Sequence, residues 1–223
     1  FWNNRNARRK RTNDVLVAWS LFVKQLEEKH GKRDVTLLMH TDPQDPEGPN
    51  LFASGDMLGI QDTVVFSNQR VGFEQINIMH NISDACLNIS YAEGFGLATL
   101  EAMQCGTPII AAKTGGLTRQ VVDHRDGSEN GVALDIDLKT LVGSQSVPYI
   151  YEDYCSNESV ADAIMKMYEK TPEEKEQLSQ KVIDYVDSEF SYQKTIDLWH
   201  DTLNYTLENW KSKYQRKFLG EVK

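Results

Sequence analysis

Two glutamates and two glycines surround a predicted helix start in residues 92–111, which read AEGFGLATLEAMQCGTPIIA. Glu93 comes just before the turn Gly94-Phe95-Gly96, and Glu101 follows eight positions later, one turn into a helix predicted over 97–105. Glycine lets the backbone approach a ligand without a Cβ in the way, and the first turn of a helix offers unpaired N–H groups that bind anions. The pattern therefore predicts an anion site beside two carboxylates.

The two acids are suited to different tasks. A carboxylate one turn into such a helix can accept hydrogen bonds from two neighbouring hydroxyls, as the ribose-binding acid of dinucleotide folds does, and this is the task predicted for Glu101. Glu93 lies on a loop after a predicted strand, where reacting groups of α/β proteins usually stand. Phosphate at the turn, ribose at Glu101 and chemistry at Glu93 would together form a nucleotide-sugar site. The spacing alone also fits a purely structural turn and helix.

A basic cluster, RNARRKR at residues 5–11, falls between a predicted strand and a predicted helix. A diphosphate leaving group gains negative charge as its bond to a sugar breaks, and guanidinium and ammonium groups stabilise that charge. The alternative is a nuclear-localisation or nucleic-acid-binding patch. The net charge of -9 disfavours this alternative, because such a chain repels a phosphate backbone.

The elements that must position these residues are short apolar runs alternating with amphipathic helices. Buried strands are predicted at 35–40, 63–67, 85–90, 108–113 and 131–136. Strands without a polar face indicate a parallel sheet covered on both sides, so the predicted fold class is α/β, a doubly wound, Rossmann-like parallel sheet with extra C-terminal helices. Ligands of such sheets bind beyond the carboxyl ends of the strands, and the Glu93 turn follows one of these ends.

From residue 157 on, the sequence predicts almost continuous helix, with Asn157 and Thr171 as N-caps. The last helix carries one apolar stripe, formed by Ile196, Trp199, Leu203, Leu207 and Trp210. This stripe either covers the sheet of the same domain or packs on a domain outside this sequence. The chain begins with Phe1, and FWNN resembles the end of a strand, so we expect a piece of a longer protein.

Composition and spacing argue against several other classes. Three cysteines, Cys86, Cys105 and Cys155, have no paired spacing, which favours reduced thiols and a cytoplasmic location over a disulfide framework or a zinc site. No apolar run is long enough for a transmembrane segment. A metal-binding D-x-D motif is possible at Asp135 and Asp137, but a loop or helix cap is the favoured interpretation, and we predict no metal site.

The segment YAEGFGLATLEAMQCGTPIIAAKTGGL (91–117) resembles the donor half of the retaining glycosyltransferases of the GT-B fold, the large family 4 group. The hallmark of that group is E-x7-E, which Glu93 and Glu101 match. The further matching positions are Gly94, Phe95, Gly96, Leu97, Ala102, Met103, Gly106, Pro108 and the Gly115-Gly116 pair. The resemblance extends over roughly residues 1 to 135.

The resemblance implies roles for individual residues. Glu101 would bind the donor ribose, Glu93 would lie near the transferred sugar, and the backbone of 94–97 would contact sugar and diphosphate. The family motif G-R-x4-K-G is matched by Arg5 and Lys10, which would stabilise the leaving diphosphate, but Asn4 and Arg11 replace its glycines. Arg8 or Arg9 could share that task.

A second departure from the family pattern follows the glycine pair. Family members commonly continue G-G-[LIV]-x-E, whereas this chain has Thr118, Arg119 and Gln120 there. Gln120 can still form hydrogen bonds but cannot carry charge.

The resemblance thus implies a metal-independent, retaining transfer of a hexose-type sugar from a UDP- or GDP-sugar to a sugar, glycan or lipid hydroxyl, with no tightly bound cofactor. Residues 1–188 would form the donor domain. Residues 189–223 would form a C-terminal helix that can pack on a missing N-terminal acceptor domain, and without that domain the chain is expected to be inactive. The alternatives are a nucleotide-sugar epimerase or phosphorylase on the same fold, or a non-catalytic nucleotide-binding scaffold.

Overall fold

Six short parallel strands form the centre of the protein, whose structure is a computed structural model that describes residues 1–213. The strands are β1 (Trp2–Asn3), β2 (Leu37–His40), β3 (Val64–Ser67), β4 (Cys86–Asn88), β5 (Ile109–Ala112) and β6 (Gly131–Leu134). β1, β2 and β3 pair in parallel, as do β4, β5 and β6. The five strands that the sequence predicted at 35–136 are confirmed.

Backbone hydrogen bonds at Phe1 join the two sets of strands. The Leu87 N–H donates to the Phe1 carbonyl at 2.9 Å, and the Phe1 amino group donates to the Ala85 carbonyl at 2.8 Å. The strand order is therefore β3-β2-β1-β4-β5-β6, and the sheet is doubly wound, as predicted. The chain reverses its winding direction between β1 and β4, and ligands of this fold class bind in the crevice at that switch.

The described residues form eight α-helices: α1 (Thr12–His30), α2 (Leu51–Leu58), α3 (Phe73–Asn81), α4 (Leu97–Gln104), α5 (Gly116–Val121), α6 (Asn157–Tyr168), α7 (Pro172–Phe190) and α8 (Tyr192–Lys213). Helix α1 is followed by Gly31, whose left-handed conformation is typical of a helix C-terminus. Its apolar face, which includes Trp19, Phe22 and Leu26, is buried against the sheet and α6. This burial anchors the sheet that positions the loops at its carboxyl edge.

Two elements were not predicted from the sequence. Helix α2 follows a loop rich in Pro and Asp (DPQDPEGP, 42–49), and the Asn50 side chain caps the helix by accepting from the Ala53 N–H. An antiparallel hairpin of β7 (Leu138–Val142) and β8 (Ile150–Tyr154) follows β6. Both elements are too short to show a clear apolar periodicity in the sequence. The hairpin is stabilised by pairing between β7 and β8, which depends on tertiary context.

The predicted helix caps had different outcomes. Thr171 caps α7: its Oγ1 accepts from the Glu174 N–H at 3.2 Å, and the Glu174 carboxylate accepts from the Thr171 N–H at 2.8 Å. The prediction for Asn157 was wrong, because Ser156 caps α6 and accepts from the Ser159 N–H. Ser156 is the last extended residue, so its hydroxyl reaches the first turn.

The chain divides into two compact units, residues 1–184 and the residues from Tyr185 on, with the division inside α7. The expected boundary after residue 188 remains a prediction. Residues of the predicted apolar stripe on α8 are exposed; Trp199, for example, is 63% exposed.

Two glycines provide a test of the sheet. Gly131 has a φ of 148°, and a Cβ there would overlap the Ile109 carbonyl of the neighbouring strand, whereas a Cβ at Gly127 (φ 77°) would meet open space. We expect Gly127→Ala to cost about 1–2 kcal/mol of unfolding free energy through its left-handed backbone alone. Gly131→Ala should cost more than about 3 kcal/mol, because backbone must also move. Urea unfolding of both variants measures this difference, and equal losses would contradict the register of β5 and β6.

Candidate active site

The loop that carries the basic cluster (residues 5–11, called the basic loop below) places the Lys10 ammonium against the carboxylate of Glu93. Residues Arg8–Lys10 form a single 3-10 turn, and Arg11 follows with a left-handed φ of 56°. The Lys10 side chain is only 8% exposed, and its ammonium contacts a Glu93 carboxylate oxygen. Arg9 places a guanidinium nitrogen 3.5 Å from the same oxygen. Burial lowers the pKa of Lys10, although the hydrogen bond to Glu93 acts in the opposite direction.

Arg5, the other predicted member of the basic pair, lies elsewhere. Its guanidinium donates to both carboxylate oxygens of Asp45, at 2.7 and 3.1 Å, and pairs with Glu47 at 3.2 Å. These acids hold Arg5 on the loop between β2 and α2. The structure thus brings Lys10 and Glu93 together, and it does not bring Arg5 to them.

The Gly115-Gly116 pair lets the Glu93 segment lie directly on the start of α5. The Gly116 N–H donates to the Glu93 carbonyl at 3.1 Å. A Cβ on Gly115 would overlap that same carbonyl oxygen, and one on Gly116 would stand 2.6 Å from the Phe95 Cα. The two glycines are therefore needed because two stretches of backbone touch here.

The turn at residues 94–97 is open to solvent on one side. Gly94 is exposed, Phe95 is 41% exposed and Leu97 is 68% exposed. Gly96 is buried and left-handed (φ 91°), and it stands at the N-cap of α4 without a side chain to cap the first N–H groups. A backbone in this state presents donors to an incoming anion.

Gln120 holds the buried side of this turn. Its amide nitrogen donates to the Phe95 carbonyl at 2.7 Å and to the Gly96 carbonyl at 3.2 Å, and its amide oxygen accepts from the Thr99 hydroxyl at 2.6 Å. Gln120 is fully buried. Gln120 thus uses the hydrogen-bonding capacity noted from the sequence to support the turn from its buried side.

Glu101 is partly buried on α4, and its carboxylate has no hydrogen-bond or ion-pair partner among the described residues. Burial raises the pKa of its carboxyl group. An unpaired carboxylate in such a place retains all its acceptor capacity for a ligand.

The remaining sequence candidates have structural partners. Asp135 pairs with Lys113 at 2.6 Å, and Asp137 accepts from the Ser156 N–H at 2.7 Å. Within residues 1–213, no group of three or more His, Cys, Asp or Glu side chains is arranged to hold a metal ion. All three cysteines are free thiols. No described helix combines the length and apolar character required to cross a bilayer.

A cavity of about 520 Å³ lies away from these residues. Its lining includes Phe1, Leu37 and Ala85, at or just before the starts of β1, β2 and β4. It therefore opens at the amino edge of the sheet, whereas Glu93 and its partners lie at the carboxyl edge.

The sequence pointed to Arg8 or Arg9 as a further phosphate-binding group, but it did not reveal the hairpin that holds Arg8. Arg8 donates to both carboxylate oxygens of Glu152 on β8, at 2.5 and 3.0 Å. The aromatic and β-branched residues of YIYEDY (149–154) were a strand signal that could have located β8. Its pairing with a residue 144 positions earlier had no local signal.

Replacing the supporting amide tests how the turn is held. In Gln120→Glu the carboxylate would face the Phe95 and Gly96 carbonyls without a proton to donate, which should cost about 1–3 kcal/mol of unfolding free energy at pH 8. This burial would raise the pKa of the new carboxyl, so the loss should shrink as the pH falls and the protonated group donates again. Urea unfolding at pH 5 and pH 8 measures the change. The exposed Gln104→Glu on α4 is the matched control, and equal behaviour of the two variants would contradict the assigned support.

Comparison with known proteins places the chain in a family. The family model described as glycosyl transferases group 1 matches residues 4–136, more than half of the chain. An N-acetyl-alpha-D-glucosaminyl L-malate synthase of Bacillus anthracis is 30% identical over 166 residues, covering 68% of this chain and 40% of that protein. The chain therefore spans less than half the length of this relative.

Solved structures share the fold. The C-terminal domain of a glycosyl transferase group 1 family protein (LpcC) from Francisella tularensis has a TM-score of 0.62 at 20% identity, over 86% of this chain and 85% of that one. HepE of Anabaena in complex with UDP has a TM-score of 0.67 at 20% identity, over 91% of this chain and 47% of that one. The chain thus belongs to the glycosyl transferases group 1 family, and its α/β fold is that of a Rossmann-like half of the GT-B glycosyltransferases.

Proposed function

We propose that this chain is the donor half of a retaining glycosyltransferase and binds a nucleoside-diphosphate sugar at the carboxyl edge of its sheet. The observation that carries the proposal is the buried Lys10 ammonium on Glu93, beside the open Gly94–Gly96 turn. HepE, which has the same fold, was solved with UDP, and this supports a nucleoside diphosphate as ligand.

In this proposal the diphosphate lies against the start of α4 and the basic loop. The free N–H groups after Gly96 and the helix dipole favour an anion there. Lys10 and Arg9, which share the Glu93 carboxylate in the free protein, would offer their charge to the phosphates. Fixed cations would then stabilise the leaving group in place of a divalent metal.

The two acids keep the roles that the resemblance implied. Glu101 would accept hydrogen bonds from the ribose hydroxyls, since its carboxylate has no partner among the described residues. Glu93, released from part of its contact with Lys10, would support the positive charge that develops on the sugar. In a front-face transfer the bond from the sugar to the diphosphate breaks, the acceptor oxygen bonds to the same face, and the leaving phosphate takes the acceptor proton.

The acceptor would be a hydroxyl of a sugar, glycan or lipid held by a part of the protein outside this sequence, because the chain spans 40% of the Bacillus anthracis relative. We expect the chain by itself to bind nucleotide without transferring sugar. A cytoplasmic location remains a prediction of the sequence and accompanies this proposal. An epimerase or phosphorylase activity and a scaffold role remain the alternatives to it.

Nucleotide binding is the first test. Calorimetry with UDP, GDP and ADP should give binding by at least one of them, and Glu101→Gln should weaken it roughly 10–100-fold, as expected for lost hydrogen bonds to a charged acceptor. Binding of none of the three by the folded chain would overturn the proposal.

Glu101→Gln should also change stability in a defined direction. The pKa of Glu101 is raised in the folded state, so the folded protein binds this proton more tightly than the unfolded chain does. Folding stability therefore falls as the pH rises from the ordinary pKa of a glutamate through the raised pKa of Glu101. The variant should lack this loss and melt no lower than the parent at pH 7. Glu176→Gln, at an exposed position on α7, is the control with the same charge change and should leave both nucleotide binding and melting unaltered.

Glu93→Gln in the full-length protein tests the chemical role. We expect turnover to fall by about 100-fold or more, because a neutral amide cannot stabilise developing positive charge, while nucleotide binding changes far less. Steady-state kinetics with the preferred donor measures this, and unaltered turnover would make Glu93 a structural residue.

A further inference from the structure

The β7–β8 hairpin lies just beyond the residues matched by the family model, yet it contacts the candidate site at several points. Three consecutive residues of β8, Glu152, Asp153 and Tyr154, make these contacts. Their partners lie on separate loops at the carboxyl edge of the sheet.

Glu152 is bound to the basic loop by a two-point ion pair. Its carboxylate accepts from both terminal nitrogens of Arg8, and the Tyr154 hydroxyl donates to the same carboxylate at 2.9 Å. The Glu152 side chain is 7% exposed, whereas that of Arg8 is 65% exposed. A nearly buried carboxylate with three donors is fixed in place, so it fixes the guanidinium that it holds.

Asp153 binds the two loops that carry the rest of the site. Its backbone N–H donates to the Tyr91 carbonyl at 2.8 Å, two residues before Glu93. Its carboxylate accepts from the Thr114 hydroxyl at 2.7 Å, next to Gly115. The hairpin therefore connects the segments that meet at Glu93.

Aromatic rings complete the attachment. The rings of Tyr91 and Tyr154 lie 4.5 Å apart between centroids. The Arg8 guanidinium stands 5.4 Å from the centre of the Tyr91 ring, and Arg11 stands 5.1 Å from it. Cation–π contact and the ion pair both restrict Arg8 to one orientation.

We propose, as an extension of the function proposed above, that Glu152 is a positioning residue that holds Arg8 as a phosphate-binding group of the donor site. A guanidinium has five N–H donors, and Glu152 engages two of them. The other three stay available on an exposed side chain next to Arg9 and Lys10. Arg8 thereby takes the place that Arg5 cannot take while it is bound to Asp45 and Glu47.

Glu152→Gln separates two effects, because net charge and the positioning of Arg8 would change the affinity for anions in opposite directions. Removing a negative charge near the phosphates should strengthen anion binding if only the net charge matters. Loss of the two-point ion pair frees the Arg8 side chain to move, and should weaken binding if Arg8 has to be positioned. We expect dissociation constants for UDP and for inorganic pyrophosphate to rise roughly tenfold.

The measurement is calorimetry on the 223-residue chain, well below its melting temperature, so that altered stability does not enter the dissociation constant. Glu169→Gln removes the same charge from an ion pair with Lys29 and His30, away from the site, and should bind like the parent. Arg8→Ala should weaken binding at least as much as Glu152→Gln. Adding Glu152→Gln to Arg8→Ala should then cause no further loss, because the two residues act as one unit.

Each outcome decides a separate question. If the parent chain binds UDP and Glu152→Gln binds it equally or more tightly, the positioning role is wrong and the donor site stands. If the parent chain binds none of the nucleotides, the proposed function fails together with this role. Should Glu152→Gln not fold, Tyr154→Phe removes only the hydroxyl that holds Glu152; it should weaken UDP binding about threefold, and unchanged binding would overturn the positioning role.

Discussion

A lysine ammonium almost removed from water determines how the carboxyl edge of this sheet is arranged. Burial disfavours the charged form of Lys10, so the loop that carries it needs an anion close by, and Glu93 supplies one. Glu93 reaches that position because Gly115 and Gly116 allow its backbone to lie against the start of α5. The ion pair thus joins the loops that follow β1 and β4, and the hydrogen bond from the Gly116 N–H to the Glu93 carbonyl adds the loop that follows β5.

The order of the strands explains why these loops meet. β1 and β4 are neighbours at the centre of the sheet, so the basic loop and the Glu93 loop meet at the switch point, where ligands of this fold class bind. The core beneath is apolar, built from α1 and α6 on the strands, and it supplies the stability that the polar edge lacks. The residues of the site therefore lie on loops that are held by the ends of buried strands.

Signals that act over a few residues were readable in the sequence. Gly31 ends α1, Thr171 caps α7, and the apolar runs became strands, because hydrophobic periodicity and capping are local effects. Partner choice at the site was not readable. Arg5 and Arg8 are three positions apart with the same chemistry, and only tertiary folding gives Arg5 to Asp45 and Arg8 to Glu152. Spacing and family likeness could identify the loop, but they could not say which arginine it presents.

Three groups that cost stability lie at this edge. Glu101 is partly buried without a partner among the described residues, Lys10 is desolvated, and Gly96 keeps helix N–H groups uncapped. Elsewhere an exposed charge such as Glu169 forms ion pairs with Lys29 and His30 that remain screened by solvent and cost little desolvation. A nucleoside diphosphate has anionic oxygens for the cations and N–H groups, and hydroxyls for the carboxylate. Under the proposed function, binding it would satisfy all three at once and would account for these costs lying together at one place in the fold.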